Sequence, residues 1–195
     1  MHVLLWVSRR IDALTELVGK SASWLILLAA LISAGNATAR YAFNASSNAW
    51  LEIQWYLFAA VFLLCAGYAL KHNQHVRVDV LSSRLTRRAQ TWIEIFGTLF
   101  FLLPMASLIL WLSWPVFVDS WRSGEVSTNA NGLVLWPARA LVPAGFALLV
   151  LQGASELIKR GAFLLGRIPD PGAAPDGSAT GRELADAILK SRREP

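Results

Sequence analysis

Apolar residues fall along this chain in four long runs, and polar residues gather between them. A bilayer core of about 30 Å takes roughly 20 apolar residues of helix to cross. Ser21 to Ala39 is free of charge and predicts a first span over 21–39. A second is predicted over 49–70, with Asn48 as its cap, a third over 93–118 and a fourth over 134–158. No strand-like alternation of polarity is present, so a membrane β-barrel is not expected. Ahead of the first span, Val3, Val7, Ile11, Leu14 and Val18 recur at helical spacing, with Arg9, Arg10, Asp12 and Glu16 elsewhere around the wheel. That pattern predicts an amphipathic interfacial helix over 1–20, lying in the headgroup plane. Ala37-Thr38-Ala39 resembles a cleavage site, but an acid-containing leader segment is unlike a secretory signal, so the segment is read as retained. Beyond Leu165 the chain turns rich in Pro, Gly and Asp, which predicts a flexible tail over 166–195.

Charge orients these spans. Arg9, Arg10 and Lys20 precede the first; Lys71, Arg77, Arg84, Arg87 and Arg88 lie between the second and third. Lys159, Arg160, Arg167, Arg182, Lys190, Arg192 and Arg193 follow the fourth, leaving Arg40, Arg122 and Arg139 for the other side. Basic loops stay in the cytoplasm, so both termini are expected there. Tryptophans 50, 55, 111, 114, 121 and 136 fall near the opposite interface, where indole rings prefer to sit. The expected architecture is an all-α integral membrane protein with four transmembrane helices plus the N-terminal interfacial helix. A net charge of +5 raises nucleic acid as a partner, but the cations flank apolar runs, so anionic lipids fit better.

Candidate chemistry is sparse. Cys65 is the single cysteine and lies in an apolar run, which leaves no disulfide framework or thiolate metal site. His72 and His75 sit at a span boundary, and no histidine lies within a span, so no haem or other cofactor is expected. Glu52 falls in the opening turn of the second span, where the helix dipole favours an acid; a structural or interface role outweighs a transported-ion role. An Arg40–Glu52 pair is one geometric option, and Arg139, like Arg40, sits where a long side chain reaches the interface. Ala59 with Ala66, and Ala60 with Gly67, repeat at seven residues and form a small-residue face. That face suits packing within this chain or against a partner. Pro104 is expected to kink the third span. No nucleotide loop, nucleophile arrangement or carboxylate dyad is present, and the spans hold few polar groups. Such a chain suits a structural partner better than a solitary pump or an enzyme.

A family resemblance sharpens this reading. Trp50-Leu51-Glu52-Ile53-Gln54-Trp55, the small-residue span, and then Lys71-His72-Asn73-Gln74-His75-Val76-Arg77-Val78-Asp79 resemble the small membrane subunit of tripartite ATP-independent periplasmic (TRAP) transporters. Gly124-Glu125-Val126-Ser127, Trp136-Pro137-Ala138-Arg139 and Pro143-Ala144-Gly145-Phe146 resemble that family's later outer loop and fourth span. The similarity covers about Trp24 to Lys159. It implies a bacterial inner-membrane subunit that partners a large permease subunit and, transiently, a periplasmic solute receptor. The large subunit would carry organic acid and sodium by an elevator-like motion, with the small one as scaffold and receptor-docking aid. His75, Arg77 and Asp79 are then expected to order the segment after the second span. The competing readings are a self-sufficient proton-coupled four-span transporter and a membrane anchor of a redox complex.

Overall fold

A computed structural model describes residues 2–44, 47–72 and 85–169. Helix α1 runs from His2 to Phe43 and α2 from Asn48 to Lys71. Helix α3 (Arg87–Gly97) continues through a π-helical turn (Thr98–Leu102) into α4 (Leu103–Ser123), and together they make one rod. Helix α5 covers Trp136–Leu164. α1, α2, the rod and α5 are each long and apolar enough to cross a membrane.

The separate helices expected over 1–20 and 21–39 are one continuous helix of 42 residues. No Pro falls between them, and Gly19, at the expected break, is pressed onto the ring of Tyr68. A Cβ at Gly19 would stand 2.4 Å from that ring, so α1 and α2 approach each other here rather than parting. The first residue of α2 is Asn48 and its cap is Ser47, which makes no side-chain cap bond, so Asn48 is not the cap. At Pro104 the rod is accommodated by the π turn just before it. A proline has no N–H to donate to the preceding turn, and a wider turn absorbs that loss.

α5 is the central element. It packs against α1, α2 and the rod; α2 also packs on α1, and the rod packs mainly on α5. Among the described residues the buried apolar core is made largely of alanines: Ala22, Ala29, Ala60, Ala106 and Ala162. Large apolar side chains such as Trp24, Phe62, Phe101 and Trp111 point outward. This is the arrangement of helices held by close backbone approach in a solvent as apolar as leucine. Gly145 marks a close approach of α5 to the α2 backbone, since a Cβ there would lie 2.8 Å from both Leu63 Cβ and its carbonyl oxygen. Gly67, from the small-residue face, is buried against Thr15 and the backbone of Leu148. Ala60 is buried too, while Ala59 and Ala66 are partly exposed. The Ala60–Gly67 half of the face therefore packs within the chain.

Candidate functional site: a carboxylate clamp and a polar belt

Two polar clusters lie at opposite ends of the bundle. At one end the chain from Gly124 to Leu135 folds into a small hairpin, with Ser127 N donating to Leu133 O (2.8 Å) and Leu135 N to Glu125 O (2.9 Å). Gly124 opens it in the left-handed region (φ 60°), and Asn131 at its tip also has positive φ (57°). Glu52, buried at 4% exposure, reaches from the first turns of α2 into this hairpin. It accepts from Ser127 Oγ, from Asn129 Nδ2 at 2.7 Å and from the Leu133 backbone N–H at 2.6 Å. A carboxylate holding three donors from one loop fixes that loop's conformation. One turn on, Tyr56 donates to Val134 O (3.3 Å) and ties the same strand of the hairpin to α2.

Other predicted residues surround this clamp. Arg139 forms a bidentate pair with Glu125 (2.6 and 3.0 Å), joining α5 to the hairpin's base. Arg40 does not meet Glu52: its guanidinium lies 5.4 Å from the centroid of its neighbour Tyr41, and the hairpin takes the carboxylate. Trp50 and Trp55 are exposed, at 48% and 68%. Trp121 and Trp136 stack edge-on with ring centroids 4.5 Å apart, beside the hairpin.

At the other end a belt of polar side chains runs between α1, α2, α3 and α5. Thr15 donates to Gln152 Oε1 (2.8 Å), whose amide nitrogen donates to Asp12 (2.9 Å). Ser155 donates to Asp12 (2.9 Å) and lies 2.7 Å from Ser8 Oγ. Lys159 bridges Asp12 (3.1 Å) and Glu156 (2.5 Å). Arg160 pairs with Glu94 of α3 and stands near Glu156. Glu16 closes the belt toward α2, taking Lys71 at 2.6 Å and Lys20 at 3.0 Å, with His72 Nε2 at 3.5 Å. Gln152, Ser155, Thr15 and Ser8 are essentially inaccessible, so the bundle is not poor in buried polar groups as its composition suggests. The readable signal was spacing: positions 152, 155, 156, 159 and 160 share one face of α5, and 8, 12, 15 and 19 share one of α1. The stripe Val3, Val7 and Leu14 is instead on the exposed side of α1. His75, Arg77 and Asp79 lie outside the described residues.

Residues 28–162 match the family described as "Tripartite ATP-independent periplasmic transporters, DctQ component". The chain belongs to the DctQ family. It is thus the small membrane component of a TRAP transporter, a transporter part rather than a member of an enzyme class. Neither the curated proteins nor the solved structures contain a match to it. The DctQ match spans the whole Glu52 clamp and the α5 side of the belt. The α1 side, with Ser8, Asp12, Thr15 and Glu16, precedes the matched segment.

Proposed function

We propose that this DctQ chain is the stationary scaffold of a sodium-coupled uptake system for organic acids. It stands in the bacterial inner membrane with its basic end in the cytoplasm, beside a large permease subunit that carries solute and ion. The Glu52-held hairpin faces the periplasm and helps seat the solute receptor. The observation that carries this reading is how the polar groups are spent. Glu52, Asp12, Glu16, Glu94, Glu156, Lys71, Lys159 and Arg160 are engaged with one another or with the hairpin. Ionisable groups inside a membrane mark transport pathways when they line an open cavity. Paired across helices, they lock register instead, which is what a fixed body requires. Basic residues at the belt end suit the cytoplasmic leaflet, and exposed tryptophans at the hairpin end suit the opposite interface.

The test is reconstitution. Uptake of an organic acid into liposomes should require this chain, the large subunit, the receptor and an inward sodium gradient, each omission abolishing transport. Transport by this chain alone, or transport indifferent to sodium, would overturn the proposal.

A further inference from the structure

Because α2 and the rod both pack on α5 without packing closely on each other, a groove of about 520 Å³ is left between them. Its walls are almost wholly apolar, with Gly97, Phe101 and Met105 from the rod, Leu70 from α2, and Phe146 and Leu149 from α5. The π turn forms its middle, and such wide turns within α-helices are frequent at functional sites. Gly97 leaves real room, since a Cβ added there meets no atom within 4 Å. From Glu94 at one end to Met105 at the other the groove runs about 16 Å along the helix, close to the depth of a single leaflet. The Glu94–Arg160 pair marks its end at the polar belt. Arg87 lies at helical spacing from Thr91, Glu94, Thr98 and Met105, so it stands on the same face two turns further out. Arg88 is its neighbour, and both are exposed.

An apolar slot one leaflet deep, topped by two exposed arginines, has the chemistry of a phospholipid: chain below, phosphate above. Basic pockets between membrane helices recognise anionic headgroups in this way. We propose that the groove holds an acyl chain of an anionic phospholipid of the cytoplasmic leaflet, with its phosphate at Arg87 and Arg88. The inference rests on the orientation proposed above. The guanidinium fork suits a phosphate, and filling the slot completes the packing that α2 and the rod leave open.

The test uses the full transporter complex, purified in mild detergent, offered phosphatidylglycerol or phosphatidylcholine and examined by native mass spectrometry. Wild type should retain phosphatidylglycerol about tenfold more than phosphatidylcholine. Gly97→Leu fills the slot where there is space for it, and the pair Arg87→Gln with Arg88→Gln removes the phosphate ligands. Each should lower phosphatidylglycerol retention about tenfold. Equal retention by wild type and Gly97→Leu would overturn the proposal. So would equal retention of the two lipids, or a photo-crosslinker at position 97 reacting with the large subunit in place of lipid. Retention is read independently of uptake. A complex that keeps the lipid but moves no organic acid sinks the transport reading alone, and one that transports without the lipid sinks this one alone.

Discussion

Substituting Gly145 by alanine tests whether close approach of α2 and α5 holds this bundle together. The added Cβ would stand 2.8 Å from Leu63 Cβ and equally near the Leu63 carbonyl oxygen. Carbon atoms settle at about 3.5–4.0 Å, so the two helices must part by roughly 0.7–1.2 Å. A backbone oxygen cannot rotate away, and close-packed interiors give little. Such overpacking costs about 1–3 kcal/mol. Alanine also favours a helix over glycine by about 0.5–1 kcal/mol, which would mask part of the loss. Gly97→Ala supplies the control, because its Cβ meets nothing and only the propensity gain remains. The gain cancels between the two variants, leaving Gly145→Ala about 1–3 kcal/mol the less stable, roughly 5- to 150-fold in the unfolding equilibrium. Titration with SDS in mixed micelles, followed by tryptophan fluorescence, measures the difference. Gly145→Ala matching or exceeding Gly97→Ala in stability would refute the close approach of α2 and α5.

Further outcomes follow from the two polar clusters. Glu52→Gln keeps the side-chain shape but presents an amide nitrogen to a site built from donors, so the hairpin should open. Limited proteolysis within 124–135 should quicken and receptor-dependent uptake should fall; an unchanged cleavage rate would contradict the clamp. Gln152→Leu strands the Thr15 hydroxyl and removes one of the donors to Asp12, costing about 1–3 kcal/mol. Adding Thr15→Val to it should recover part of that loss, and a double variant no better than the single one would show that the pair is uncoupled. Arg139→Lys replaces a bidentate fork with a point charge, and proteolysis at the hairpin base should rise less than in Arg139→Ala. Equal effects of the two substitutions would remove the case for fork geometry.

The four spans were legible in the sequence because unbroken apolar runs of bilayer length leave few alternatives. What escaped was everything that depends on pairing between distant segments. Glu52 reads as a dipole-favoured acid in a first turn, because its donors Ser127, Asn129 and Leu133 come from a loop at least 75 residues away. Asp12 and Glu16 read as the solvated side of an interfacial helix. Only the polar face of α5 at 152, 155 and 159, which takes Asp12, and Lys71 of α2, which takes Glu16, turn them into a seam. The apolar stripe of α1 was the louder signal, and Val3, Val7 and Leu14 mark its exposed side, while the quieter polar face marks the contact. Ala60 and Gly67 illustrate the same inversion: small residues make the core, and bulk lies outside.

The seam between α1 and α5 also has a consequence for how the protein is made. Its bonds join residues 137 to 147 positions apart, so the first helix enters the membrane long before its partner exists. At ordinary rates of synthesis that interval is about 7–30 s. During it Ser8, Asp12 and Thr15 have no α5 to bind, and the bare helix must keep these groups at the wet interface. The bundle closes only when the last helix arrives. A chain that stops short of Gln152 therefore leaves the first helix with an unsatisfied polar face.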